Sequence, residues 1–263
     1  MKIATWNING IKARQENLVA WLAAEQPDIA CLQEIKSVDE SFPTAPLEDC
    51  GYHVEVHGQK GFNGVALLSK KKPEEVRRGL PGDDDDAQAR YIEGVYSVAG
   101  GVIRVASIYL PNGNPVDSEK YPYKLNWMDR LTRHVAELLP FEEPLLLAGD
   151  YNVIPRPGDC HDPAAWAGDA LFLPSTRQAY TKLAGLGLTD AVTASDDRGG
   201  QYTFWDYQAG AWPKNNGIRI DHLLLSAEAA DRLQTTAIDK KVRAWEKPSD
   251  HVPVIASFDF EWA

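Results

Sequence analysis

Apolar residues along this chain fall mostly in short blocks separated by turn residues, interrupted by longer stretches in which they recur at helical spacing. Residues 2–7 read as a strand, and 15–25 as a helix with Leu18, Val19 and Leu22 on one face, stopped by Pro27. A strand at 28–33 follows. The stretches 52–57, 64–69, 91–98 and 102–110 are rich in Val, Ile and Tyr and separated by Gly-containing turns, which predicts hairpin-linked strands. From about 119 to 139, Leu125, Met128, Leu131, Val135 and Leu138 repeat with helical period, leading into a strand at 144–149. A Pro- and Gly-rich loop at 154–168, a helix near 175–186 and short strands at 202–206, 219–225, 236–243 and 253–260 complete the pattern. Helices mixed with mostly hairpin-connected strands predict two sheets packed face to face, with helices outside. No solenoid period is present, although Glu34 and Asp150 fall at similar strand ends in the two halves, a weak sign of a duplicated unit.

At 263 residues, 44% hydrophobic and with eight Trp, the chain can bury one large core, and nothing in it resembles a linker, so a single domain over 1–263 is expected. The acidic run Asp83 to Asp86 sits in a Pro-Gly turn and reads as a solvated loop. No apolar run approaches the roughly 20 residues that cross a bilayer, and a strand pattern begins at once where a leader would carry charge and then an apolar segment. The expectation is a soluble cytoplasmic protein with no membrane partner. Cys31, Cys50 and Cys160 are odd in number and lack CxxC spacing, which points to inert thiols. The net charge of −11 argues against coating nucleic acid by bulk charge. Local clusters at Lys70–Lys72, Arg77–Arg78 and Lys240–Lys241 with Arg243 leave room for basic patches.

The chemistry-bearing residues stand at the ends of apolar runs, where α/β proteins collect their sites. Trp6-Asn7-Ile8-Asn9-Gly10 follows the first run, Glu34 the second, and Gly149-Asp150-Tyr151-Asn152 the run at 145–148. Lys-Pro-Ser-Asp-His-Val-Pro at 247–253 precedes the last. Asn7, Glu34, Asp150, Asn152, Asp250 and His251 together offer oxygen ligands with one imidazole, a set that suits a hard divalent cation such as magnesium better than zinc.

Eight collinear strings carry a resemblance: WNING at 6–10, LQEIK at 32–36, HGQKGFNGVALLSK at 57–70, RRGLPGDDDDAQAR at 77–90, YLPNG at 109–113, GDYN at 149–152, GIRIDHLLLS at 217–226 and KPSDHVPV at 247–254. The chain resembles the exonuclease III family of abasic-site DNA repair endonucleases, in its bacterial branch, over nearly its whole length. The resemblance implies a four-layered α/β sandwich of the deoxyribonuclease I type and hydrolysis of the DNA phosphodiester 5′ to an abasic site. It also implies 3′-to-5′ exonuclease and 3′-phosphatase or diesterase activities, with magnesium as cofactor and manganese as a substitute. The implied partner is double-stranded DNA with abasic sites or blocked 3′ ends, bound by a monomer. It implies Glu34 as principal metal ligand assisted by Asn7, with Asp150 and Asn152 holding the attacking water and the phosphate. Tyr109 is implied to contact the phosphate, Asp221 to orient His251, and Asp250 to join a second metal position. Arg90 and Lys120 are implied DNA contacts, and Phe204, Ile218 and Ile220 a pocket for the flipped abasic sugar. Asn9 departs from the pattern, since some eukaryotic members carry Asp there.

Phosphodiester hydrolysis asks for these residue types in its own right: a base for the water, charge on the non-bridging oxygens and a route out for the leaving oxygen. The Asp-His, GD-N and Glu elements alone would equally serve a phosphoesterase acting on an inositol phosphate, a sphingolipid or a free nucleotide. The region 57–90 with Arg90, Lys120 and GIRID favours DNA. A non-catalytic nucleic-acid-binding module is disfavoured, because buried carboxylates without a metal are a liability. The other histidines, and Trp21, Trp127, Trp166 and Trp245, read as packing residues.

Overall fold

The computed structural model describes all residues of the chain. In chain order the elements are β1 (Lys2–Asn7), α1 (Ile11–Glu25), β2 (Ile29–Gln33), α2 (Thr44–Asp49), β3 (His53–His57), β4 (Val65–Ser69), β5 (Glu75–Arg78), β6 (Tyr91–Val98), β7 (Gly101–Tyr109), α3 (Lys120–Leu138), β8 (Leu145–Asp150), α4 (Pro163–Trp166), α5 (Pro174–Ala184), β9 (Thr189–Asp190), α6 (Ala191–Ser195), α7 (Ala211–Lys214), β10 (Asp221–Leu225), α8 (Ala227–Ala230), β11 (Leu233–Ile238) and β12 (Val254–Phe258). They build two six-stranded mixed sheets, ordered β11-β12-β1-β2-β4-β3 and β5-β6-β7-β8-β10-β9. Each sheet has one parallel pair at its centre, β1 with β2 and β7 with β8. The crossovers are the two long helices, α1 and α3, as parallel neighbours require.

Period-2 alternation assigns each strand face to its layer. Ile3, Ile29, Cys31, Leu67, Val105, Leu146, Leu223 and Val254 fill the space between the sheets. On the outer face of the first sheet, Ala4, Trp6 and Leu32 pack against Leu18, Trp21 and Leu22 of α1. On the outer face of the second, Leu145 and Leu147 meet Trp127, Leu131 and Val135 of α3 and Leu183 of α5. The result is the four-layered α/β sandwich implied by the sequence. Beneath the site, Gln33 Nε2 donates to Thr5 Oγ1 and Ser107 Oγ, both at 3.0 Å, and pins the two sheets together through buried polar groups.

Several local expectations shift. Helix α1 begins at Ile11, four residues earlier than the 15–25 pattern, because Ile11 is itself a core residue and Gly10, at φ 94°, turns the chain straight out of β1. Residues 202–206 form no strand: the amides of Thr203 and Phe204 both donate to Ile218 O, and that of Trp205 to Asp250 O, so no ladder propagates. The strand expected at 236–243 is β11, ending at Ile238 opposite Val254, and Lys240–Ala244 is a 3₁₀ turn. The next position on the partner, Pro253, has no N–H to extend the pairing. The acidic run is only partly solvated. Asp83, Asp84 and Asp85 are exposed, but Asp86 is inside, bonded to Arg130 Nη1 at 2.7 Å and to the Tyr123 hydroxyl. The short, solvent-facing β5 escaped the pattern because it carries no apolar alternation. The cysteines are free, and none of the helices is long and apolar enough to cross a membrane.

Candidate active site

Strand ends from both sheets converge on one cleft of about 310 Å³. Asn7 ends β1 and Glu34 follows β2; Tyr109 ends β7, Asp150 ends β8, and Asp221 begins β10. His251 enters from the segment before β12. In register, Asp150 sits beside Tyr109 on its parallel neighbour and opposite Asp221 on its antiparallel one. Gly149 makes that approach possible, since a Cβ there would come within 2.0 Å of Ile108 O. Asn9, Glu34, Lys36 and Asn152 all hold positive φ without being glycine, backbone strain gathered in the turns that follow β1, β2 and β8.

Hydrogen bonds and one ion-pair contact join the acidic groups. Asn7 Nδ2 donates to Glu34 Oε1 at 3.0 Å and to Asp150 Oδ2 at 2.9 Å. His251 Nδ1 meets Asp221 Oδ2 at 2.8 Å, while its Nε2 lies 3.6 Å from Asp150 Oδ2. Burial opposes the His251 cation, but the charges of Asp221 and Asp150 and the Asp221 hydrogen bond outweigh it and lift the imidazole to about 10. Burial pushes Asp150 up, and Asp221 adds to this, while His251 and the hydrogen bonds from Asn7 and the Asn152 amide oppose it, leaving a carboxyl at about 7. Burial also raises Glu34, yet Asn7, Lys36, His251 and the Tyr109 hydroxyl together carry it below the usual carboxylate value. Burial and the charges of Glu34 and Asp150 drive Tyr109 well upward, so its hydroxyl stays protonated and can donate.

The expected ligand set is rearranged. Glu34, Asp150 and His251 bring ligand atoms within 4.8 Å of one another. Asn7, expected as an oxygen ligand, turns its nitrogen to the carboxylates, because its Oδ1 is held by the Asn9 backbone N–H at 2.9 Å. His251, expected among the ligands, is pushed up to about 10 by the charges of Asp221 and Asp150, which weakens it as a lone-pair donor. Asp250 stands apart from the trio, accepting from Asn9 Nδ2 at 3.1 Å. Asn152 Nδ2 donates to Leu110 O at 2.8 Å, and its Oδ1 accepts from Asn112. The ionised Glu34, with Asp150 beside it, nevertheless gives a hard oxygen donor pair that fits a divalent cation of the magnesium type.

Of the expected DNA contacts, Arg90 lies with its guanidinium 4.9 Å above the Tyr109 ring and 5.9 Å from that of Tyr123. Lys120 is exposed at the head of α3, outside the cleft lining. Phe204, Ile218 and Ile220 do line the cleft, with Phe204 edge-on to His251 at 5.0 Å. Ile218 and Ile220 are also core residues, packed with Ile154, Cys160, Leu171 and Phe172. Sequence reasoning missed four participants. Trp166 and Leu171 complete the apolar wall, so Trp166 is more than packing. Lys36 bonds Asn9 Oδ1 at 2.7 Å and Glu34 at 3.2 Å, and Asn112 reaches Asn152. Lys36 and Asn112 stood inside the quoted strings LQEIK and YLPNG, but Trp166 and Leu171 carried no local signal. A larger open hollow, about 740 Å³, lies at the sheet ends around Gly100, Glu142 and Asp259, away from all of these groups.

Comparison with known proteins agrees with this geometry. Residues 4–251 match the endonuclease/exonuclease/phosphatase family. The chain is 38% identical to exodeoxyribonuclease III of Haemophilus influenzae, covering 98% of this chain and 100% of that protein. It is 31% identical to an exodeoxyribonuclease of Bacillus subtilis, over 97% of this chain and 98% of that one. Among solved structures, the 3′ phosphatase NExo from Neisseria, bound to a product DNA hairpin, superposes with TM-score 0.94 at 39% identity, over 98% of this chain and 99% of that one. An AP endonuclease from Archaeoglobus fulgidus gives TM-score 0.93 at 39% identity, over the same shares of the two chains. The chain belongs to the endonuclease/exonuclease/phosphatase family, as a DNA repair nuclease of the exodeoxyribonuclease III kind.

Proposed function

We propose that this enzyme hydrolyses the phosphodiester 5′ to abasic sites in duplex DNA and clears blocked 3′ ends, acting as a cytosolic monomer with magnesium, which manganese can replace. The observation that carries the reading is the series Asp221–His251–Asp150–Asn7–Glu34, linked by hydrogen bonds and, between His251 and Asp150, by a 3.6 Å ion-pair contact, beside an apolar wall. Asp150, raised toward neutrality, takes the proton of the attacking water. His251, kept cationic by Asp221, places positive charge against the non-bridging oxygens, and Tyr109 and Asn152 hold the phosphate in line. A cation held by Glu34 would supply Lewis acidity to the phosphate and its leaving oxygen. Asn7 fixes the spacing of Glu34 and Asp150, and Asp250 and Asn9 bound the rim.

Two features favour duplex DNA over a small phosphoester. The loop 58–64 is tied to the Glu34 turn and to Ala89 by backbone bonds, and carries Lys60 and the 71% exposed Phe62. Such an apolar tip beside basic residues suits a groove. The wall of Trp166, Leu171, Phe204, Ile218 and Ile220 suits a base-free sugar, and the side chains of Leu171, Phe204, Ile218 and Ile220 offer no hydrogen-bond partner to a base. The test is a duplex with one abasic-site analogue, incubated with magnesium and then with chelator. Incision at the lesion that the chelator abolishes supports the reading; cleavage of only small phosphoesters overturns it.

A further inference from the structure

Lys124, in the second turn of α3, is completely buried directly beneath the cleft. Its amine, which burial pulls down to about 7, donates to two backbone carbonyls, Asn112 O at 3.0 Å and Asn152 O at 2.5 Å. Those carbonyls belong to the two turns that follow β7 and β8, the central parallel pair of the second sheet. The side chains of Asn112 and Asn152 both line the cleft, and Asn112 Nδ2 donates to Asn152 Oδ1 at 3.3 Å across it. Room for the lysine stem is specifically provided. Gly113 holds φ 90°, and a Cβ there would come within 2.7 Å of Lys124 Cδ. Burying an ammonium is expensive, and a leucine or methionine would fill the same space between α3 and the sheet at no such cost. What the amine adds is donors aimed at two separate turns.

We propose that Lys124 is a positioning residue, whose amine donors bridge the turns after β7 and β8 from below and so set the spacing of Asn112 and Asn152 at the phosphate. The inference rests on the functional reading above, which makes those two amides phosphate-facing. Without the bridge, the Asn112 and Asn152 carbonyls lose their shared donor. The turns are then free to separate, while helix α3 keeps its apolar packing through Trp127, Met128 and Leu131. Misplacement on this scale acts on the transition state more than on overall affinity.

Lys124→Met removes the donors and keeps the stem. On the abasic duplex its kcat should fall about 100-fold while duplex affinity measured in chelator stays within about threefold. Amide hydrogen exchange should accelerate over 110–114 and 151–154 and stay unchanged in α3 and β8. Wild-type turnover, or wild-type exchange in the two turns, overturns the proposal. Should the methionine variant not fold, Lys124→Leu, which also lacks a donor and has an apolar side chain for the space between α3 and the sheet, is read by the same two measurements against the same outcomes. The exchange comparison needs no catalysis, so an inactive wild-type enzyme would sink the functional reading and still leave Lys124 decided.

Discussion

Asp150 and Asp221 stand directly opposite each other on the antiparallel pair β8 and β10, two buried carboxylates in register. Like charges so placed cannot both ionise cheaply. The imidazole of His251 resolves the conflict, with Nδ1 on Asp221 and Nε2 facing Asp150, and in doing so becomes a buried cation aimed at the cleft. The electrostatics of the site therefore follow from strand register before any substrate is present.

If His251 acts as proposed, its pairing with Asp221 should set the alkaline limb of activity. The imidazole, lifted to about 10, is charged below that pH and loses its charge as pH rises through it. Asp221→Ala removes the second-largest influence on that group and the largest that raises it, and should move the alkaline limb of the pH–rate profile down by roughly 1–3 units. An unmoved limb would show that His251 works as a neutral group.

Asp150→Asn keeps the size and, through its single amide oxygen, one of the two hydrogen bonds accepted from Asn7 and the Asn152 amide, but removes the proposed base. Single-turnover rates should drop by about 10²–10⁴-fold with duplex affinity retained. Rate and affinity lost in equal proportion would mark Asp150 as a structural group.

Glu34→Gln removes the ionised oxygen donor while the Asn7 contact can persist. The magnesium concentration giving half-maximal activity should rise by about tenfold or more, and the thermal shift on adding magnesium should shrink. An unaltered half-saturation would assign the metal to other ligands.

Phe204 is half-buried over His251, at the mouth of the apolar wall, whereas Ile218 and Ile220 are core. Phe204→Ala should narrow the rate ratio between abasic and undamaged internal sites, leaving 3′-end cleavage in place. A change in melting temperature alone, with the ratio intact, would return Phe204 to the core.

Asp86 is the buried partner of Arg130, with side chains 7% and 1% exposed. Asp86→Ala strands that guanidinium and should cost about 3–5 kcal/mol in denaturant unfolding. Asp84→Ala, two residues away in solvent, should stay within about 0.5 kcal/mol. Equal effects would mean that the whole run is solvated after all.

Much of this molecule is legible without coordinates, and the reason is periodicity. The short apolar blocks at 2–7, 64–69, 91–98 and 144–149 and the helical repeat of Leu125 to Leu138 mark elements that burial sorts into layers, a property each residue carries with it. The collinear strings named the family, and with it Glu34, Asp150, Asp221 and His251, because such side chains sit at the ends of strands that pattern alone locates. Where partners are distant in sequence the signal stops. Residues 202–206 have the composition of a strand but meet Ile218 and Asp250 in no common ladder. Asp86 and Asp84 are identical in the chain and differ only in whether Arg130 lies within reach. Asn7 could be a ligand or a donor until the Asn9 amide fixes its rotation. Lys124 gives no local sign that it is buried, since only the close approach of two turns 40 residues apart creates the place its amine fills. The layers and the kinds of chemistry could be read from the order of the residues. Tertiary structure alone decided which polar groups face one another, and so which are charged, because hydrogen bonds and Coulomb terms depend on distances between elements that no local pattern encodes.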